Sequence, residues 1–184
     1  MKAKYPEAEI ELWGEDEHRI GLQPTLRRVW TPEGEQPIAA VKTQYQWVWL
    51  YGFVHPESGE NYWWLMPHTN TEIFNRVLAD FAHEFELNRN KRVLLILDQA
   101  GWHIGHRLKI PEGIDLFFLP PYSPELQPAE RLWPLTNEVI ANSIPHSLEV
   151  LEDLLVFRCQ KLLTQQDFIR GLTCYRWWPK TRAV

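Results

Sequence analysis

The sequence predicts an α/β fold: a mixed sheet whose first strands are antiparallel and whose later strands are parallel, flanked by helices. Three observations carry this expectation. Residues 9–22 (EIELWGEDEHRIGL) alternate in character with a period of two, as a strand does. Residues 45–66 hold two aromatic and β-branched runs separated by His55-Pro56-Glu57-Ser58-Gly59, a hairpin pattern. Beyond residue 71, helix-period segments alternate with short continuous apolar runs, the order expected when strands pair in parallel across helical connections.

In the first strand the even positions, Ile10, Leu12, Gly14, Asp16, His18, Ile20 and Leu22, share one face, and the odd ones are mostly charged. Asp16 therefore points with the apolar set, while Glu15 and Glu17 point away. Leu26 to Trp30 reads as a short second strand before a polar loop (TPEGEQP). Tyr45 to Val54 (YQWVWLYGFV) is a strand by composition, its aromatic stripe suited to packing on the sheet, and Asn61 to Met66 is the returning strand. Thr71 suits the N-cap of a helix to about Leu87 with Ile73, Phe74, Val77, Leu78 and Phe81 on one face. Val93 to Leu97 has the unbroken apolar character of a strand buried on both sides. A helical turn is expected near Trp102 to Leu108, a strand over Ile114 to Leu119, a helix from Pro128 to about Asn142 and another over Leu148 to Leu163. The aromatic tail Tyr175-Arg176-Trp177-Trp178-Pro179 suits either the core or a partner.

At 184 residues, 45% of them hydrophobic, the chain is long enough to bury a substantial core. No run approaches the roughly 18 apolar residues of a membrane span, and the first ten residues lack the apolar segment of a secretory signal. Cys159 and Cys174 fit neither a disulfide framework nor a zinc knuckle, which points to a reducing cytoplasm. The net charge of −5 is wrong for a simple nucleic-acid binder, which carries a basic excess, but it suits a protein that needs divalent cations before it meets phosphate.

Candidate chemistry centres on acids. Asp98 ends the most buried strand, at the edge where ligands of open α/β sheets bind. Glu130 opens the helix after the next strand, and Asp16 projects inward from the first. Each has a plainer role available: Glu130 complements a helix dipole, Asp98 caps a turn, Asp16 is an ordinary strand acid. If the three elements are adjacent, three carboxylates converge, repel one another and call for a cation. An all-oxygen set favours Mg²⁺ or Mn²⁺, and two ions about 4 Å apart are suited to in-line phosphoryl displacement. His103, five residues after Asp98, is placed to reach phosphate or support a ligand, and His18 shares the face of Asp16. A carboxylate-pair hydrolase acting on sugars would need two acids and no metal.

Glu15-Asp16-Glu17, Asp98-Gln99-Ala100-Gly101-Trp102-His103 and LPPYSPELQPAERLW together resemble the DDE transposase superfamily, specifically the Tc/mariner-like bacterial insertion-sequence transposases. The resemblance runs from about Glu9 to the C-terminal helices. It implies a ribonuclease H-like fold, Asp16, Asp98 and Glu130 as metal-binding catalytic triad, and two Mg²⁺ or Mn²⁺ ions. It further implies DNA cleavage at transposon ends, then attack of the freed 3′-hydroxyl on target DNA, by a homodimer assembled on DNA in the cytoplasm at the nucleoid. His103 matches a histidine often found in the family after the second acid. Gln99 and Gln127 stand where the family usually carries Asn, each longer by one methylene and each bearing on a hydrogen bond beside the site. The family also carries N-terminal helix-turn-helix modules, whereas here the catalytic region starts almost at Met1. The resemblance thus implies a catalytic core over residues 1–145 with a C-terminal helical extension over 146–184 packed on it, end recognition falling to a separate helix-turn-helix polypeptide. A catalytically silent remnant that binds DNA or joins a full-length transposase is the alternative.

Overall fold

The computed structural model describes residues 1–23, 28, 30–35, 44–143 and 145–179. Its sheet has five strands: β1 (Glu9–Gly21), β2 (Trp47–His55), β3 (Glu60–Met66), β4 (Lys91–Leu97) and β5 (Ile114–Phe118), in the order β3-β2-β1-β4-β5. β1 pairs antiparallel with β2, and β2 with β3; β1 pairs parallel with β4, and β4 with β5. The mixed sheet expected from the alternation and the apolar runs is the one found. The short strand expected over Leu26 to Trp30 falls largely outside the described residues.

β1 is the centre of this sheet, and both of its faces are covered. On one face, Trp13, Tyr51, Phe53, Val93, Leu95 and Leu97 pack against α1 (Thr71–Glu84) through Phe74, Val77, Leu78 and Phe81. α1 begins one residue earlier than Thr71 would cap it. Asn70 is the cap, its side-chain oxygen accepting from Ile73 N–H at 2.9 Å.

The other face, with Ile20, Val48, Leu50 and Val54, lies under α3 (Leu148–Leu163), which buries Leu151, Leu155, Cys159 and Leu162. α3 spans the residues expected of it and is capped by Ser147, which accepts from Val150 N–H. A further helix, α4 (Gln166–Thr173), follows and buries Ile169 against the same cluster. In the tail, Trp178 is 5% exposed against Ile96 and Leu119, so the core takes it, while Trp177 stays outside and stacks on Tyr175.

Two expected helices differ. The helix predicted from Pro128 to about Asn142 is a 3₁₀ turn, Pro128–Leu132, followed by a short helix α2 (Trp133–Asn137). Pro134 explains the break: lacking an N–H, it fits only a first helical turn, so the α-helix starts at Trp133 and not before. Midway along α2 the Leu135 carbonyl accepts from Arg158 at 2.9 Å. The stretch Trp102 to Leu108 forms isolated turns, closed by His103 N–H to Ala100 O and Leu108 N–H to Gly105 O, and not a helical segment. Among the described residues no helix is long and apolar enough to cross a membrane.

Candidate active site

The β1–β4 ladder ends at the pair Gly14 and Ile96. Asp16 and Asp98 each lie two residues past that pair, so parallel pairing carries the two acids to the same level of adjacent chains. Where the ladder stops, the Gln127 side chain takes over. This amide is 3% exposed and donates from Nε2 to Glu15 O at 2.8 Å and to Ile96 O at 3.2 Å, one carbonyl on each strand. Its Oε1 faces the Ala129 N–H at the start of the 3₁₀ turn that bears Glu130. The extra methylene of Gln is what this span uses.

Two glycines make room for the arrangement. A Cβ on Gly14 would lie 2.5 Å from Pro128 Cγ and 2.6 Å from Gln127 Oε1, and one on Gly52, which pairs with Asp16, would lie 2.8 Å from Trp133. Gly14→Ala should therefore push the 3₁₀ turn off the sheet and cost about 1–3 kcal/mol, the usual range for overpacking. Urea unfolding monitored by circular dichroism checks it: an unchanged midpoint would refute the contact.

Asp16, Asp98, Gln99, Gln127 and Glu130 line one cavity of ≈ 500 Å³, completed by Ala100, Leu119 and the Pro120 to Pro124 turn; among the described residues no Arg or Lys lines it. Among the sequence-nominated residues, these five are brought together. Asp16 Oδ2 accepts from the Trp133 indole N–H at 2.9 Å. Burial, above all, and the charges of Glu130, Glu17 and Asp98 push the Asp16 carboxyl up to about 7, against the lowering effect of that hydrogen bond. Glu130 is likewise raised by burial and by Asp98. Asp98 goes the other way, held low chiefly by its hydrogen bond with His103. Gln99 donates to Leu119 O at 2.8 Å, fixing the loop after β4 to the end of β5.

His103 and His18 do not line the cavity. His18 stacks on Trp133 (ring centres 5.0 Å apart) and bonds Asn137 Oδ1 at 3.0 Å, so it supports the indole that holds Asp16; burial lowers its pKa. His103 is fully buried on the α1 side of the sheet. Its Nδ1 donates to Asp98 Oδ1 at 2.9 Å and its Nε2 to Glu17 Oε1 at 3.1 Å. Burial alone would lower this imidazole, but the hydrogen bonds to Asp98 and Glu17 and the charges of Glu17 and Glu15 raise it to about 11.

The expectation that Glu15 and Glu17 face away from Asp16 holds, yet they do not reach solvent. α1 covers that face too, leaving Glu15 fully buried and the Glu17 side chain 2% exposed. Among the described residues Glu15 has no hydrogen-bond partner for either oxygen, and burial followed by the Glu17 charge holds its pKa well above the usual carboxylate range. One atom each of Glu15, Glu17 and His103 lie within 4.8 Å of one another, close enough to share a cation. Both His103 nitrogens already face carboxylates, however, and two ring protons meet the same demand. Glu17, Trp102 and Trp133 are the residues that sequence reasoning missed. The available signal was that Glu15 and Glu17 share the odd face of the strand with Trp13, a large apolar neighbour that marks this face as covered.

A five-stranded sheet in this order, covered by helices on both faces, with acids midway along β1 and just past the end of β4, is the ribonuclease H-like architecture. The profile of the family described as DDE superfamily endonuclease matches residues 11–152. The chain is 40% identical over 135 residues to an uncharacterized protein, y4pE/y4sA, of Sinorhizobium fredii (strain NBRC 101917 / NGR234), covering 71% of this chain and 96% of that one. The chain belongs to the DDE superfamily endonuclease family. Its fold is similar to that of a pre-cleavage Mos1 transpososome (TM-score 0.59, 13% identity, 91% of this chain and 57% of the other). It is equally similar to the mariner Mos1 paired end complex with Mg (TM-score 0.59, 17% identity, 89% and 52%). The chain thus spans a little over half the length of those solved transposases.

Proposed function

We propose that this chain is the catalytic region of a transposase that cuts DNA phosphodiester bonds at transposon ends and joins the freed 3′-hydroxyl to target DNA. The observation that carries the reading is the cavity in which Asp16, Asp98 and Glu130 meet with no Arg or Lys among the described lining residues, His103 behind Asp98 being the one cationic partner. Residues 1–145 are read as the catalytic core and 146–184 as its helical cover.

The donor set fits divalent metal. All three side chains offer oxygen, and the Asp16 carboxyl, raised to about 7, is an acid whose ionised form lacks a counter-charge. Among the described residues, Asp98 Oδ2 and the Glu130 carboxylate accept no hydrogen bond. Asp16, Asp98 and Glu130 would hold two ions of the Mg²⁺ or Mn²⁺ class, which when bound activate a nucleophile and stabilise a leaving oxygen. The protein's own part is to place the acids: the end of the β1–β4 ladder aligns two of them, Gln127 bridges the gap, and Trp133 orients Asp16. A net charge of −5 makes cations the means by which this surface approaches phosphate. DNA is the proposed substrate, a homodimer the proposed working form on it, and a separate helix-turn-helix polypeptide the proposed reader of the ends.

The test is nicking of supercoiled plasmid and of a labelled transposon-end duplex with Mg²⁺, Mn²⁺ or EDTA. Cleavage with the cations and none with EDTA is expected. An inert wild-type chain under every divalent ion would leave the silent remnant as the better reading.

A pH dependence accompanies this. Asp16 binds its proton up to about pH 7 in the folded chain, against 3.8 for the ordinary carboxyl. Folded protein therefore holds protons that the unfolded chain has released, and without added cation stability falls as pH rises from about 4 to 7. Glu15 and Glu130, also raised, act in the same direction. His103, raised to about 11, contributes stability that is complete below 6.5 and declines above it. Cation binding requires the ionised acids, so the increase in melting temperature produced by Mn²⁺ should be larger at pH 8 than at pH 5. Calorimetry with and without Mn²⁺ reads this directly, and equal shifts at both pH values would contradict it.

A further inference from the structure

β1 sends consecutive side chains to opposite faces of the sheet: Asp16 into the acid cavity, Glu17 beneath α1. The two destinations meet again at Asp98. Its Oδ1 accepts two hydrogen bonds, from Ala100 N–H and from His103 Nδ1, each 2.9 Å, while among the described residues Oδ2 accepts none. The Asp98 side chain is half exposed, and without a restraint on one oxygen it would be free to rotate in its loop. Ala100 N–H restrains it from within the same loop; the restraint from outside the loop is the His103 ring, which is fully buried and lies 4.5 Å from the Phe74 ring. Packing on Phe74 limits where the ring can sit, and the Nε2 contact with Glu17 Oε1 sets its rotation. Glu17 is fixed in turn by the Trp102 indole N–H, which donates to the same oxygen at 2.7 Å.

We infer that Glu17 is a positioning residue for Asp98: through His103 it anchors Asp98 Oδ1 from behind the sheet and leaves Oδ2 aimed into the cavity. The inference rests on the reading of Asp98 as a cation ligand. Its physical basis is general, because a ligand's outer partners fix its orientation and their loss typically weakens metal binding by about 10–100-fold. What is particular to this chain is the source. One strand supplies the first ligand and, one residue later, the brace of the second, so a shift of β1 moves both together.

The test is Mn²⁺ binding by the whole chain without DNA, measured by electron paramagnetic resonance and calorimetry. Glu17→Ala is expected to weaken binding by about 10–100-fold. Glu17→Gln, which keeps an oxygen to accept from both His103 and Trp102, should restore most of it. In an Asp98→Asn background Glu17→Ala should change the residual affinity by less than about twofold, because residues acting through one another are not additive. A purely structural Glu17 would lower the melting temperature and weaken binding equally in both backgrounds, and that outcome overturns the proposal. So does unaltered affinity in Glu17→Ala. If Glu17→Ala does not fold, Trp102→Phe, which removes the indole N–H along with part of the ring, takes its place, with a severalfold loss expected that disappears in Asp98→Asn. A stoichiometric metal retained by both Asp16→Asn and Asp98→Asn but lost in Glu17→Ala would make Glu17 a ligand itself and also overturn the proposal. If neither Asp16→Asn nor Asp98→Asn alters Mn²⁺ affinity, it is the ligand reading of the cavity that fails, and this inference with it.

Discussion

Asp98→Asn is expected to reduce cation-dependent nicking by at least about 10³-fold, comparable to or beyond the loss of a single preorganised charge-stabilising group in an active site. The substitution is informative because so little else changes. Asn keeps an oxygen that can still accept from Ala100 N–H and His103 Nδ1, the two contacts that Asp98 Oδ1 makes now. The amide NH₂ then replaces Oδ2, presenting a donor where the reading requires an acceptor for a cation. Removing one negative charge eases the crowding that raises Glu130 and contributes to raising Asp16, but it also removes the ionised partner of His103, so the melting temperature should fall modestly while the fold is kept. Asp16→Asn and Glu130→Gln should each lose activity to a similar extent, and combining them should add little, as for residues that act as a unit. Plasmid nicking with Mn²⁺ alongside a thermal melt separates the cases. Full activity in Asp98→Asn would remove this residue from the chemistry.

Phe81→Ala is expected to be the most damaging single change to stability, at about 3–5 kcal/mol. The ring is fully buried at the centre of the α1 face, stacked on Phe53 at 4.5 Å and meeting Phe85 at 4.8 Å, Trp13 at 5.1 Å and Tyr62 at 5.7 Å. Those neighbours belong to three strands and the end of α1, so no local collapse can fill the hole. For a chain of this length, each kcal/mol corresponds to roughly 2–4 °C, which puts the fall in melting temperature on the order of 10 °C. Differential scanning calorimetry decides it. A drop of less than a few degrees would mean that the cluster repacks.

Much of this was legible from residues alone because the strongest signals were local. The period of two in residues 9–22 placed Asp16 on a different face from its acidic neighbours, and α3 occupies the span its pattern indicated. What could not be read was the fate of the second face of β1. Charged residues at odd positions suggest solvent, but strand order decides exposure, and β1 is central because β2 and β4 pair on either side of it. The shortened helix after Pro128 is a different kind of miss: Pro134 was visible and its rule is strict. His103 was singled out for its spacing from Asp98. Its second partner, Glu17, lies 86 residues earlier in the chain and became visible only with the sheet assembled.

The burial of Glu15, Glu17 and His103 beneath α1 means that the acid cavity has a reverse side. Anyone recoding the α1 face for stability or solubility would be altering the setting of Asp98 from the back, through a wall one strand thick. Phe74 is a case in point, filed by any hydrophobicity scale as core and yet in contact with the imidazole that grips Asp98.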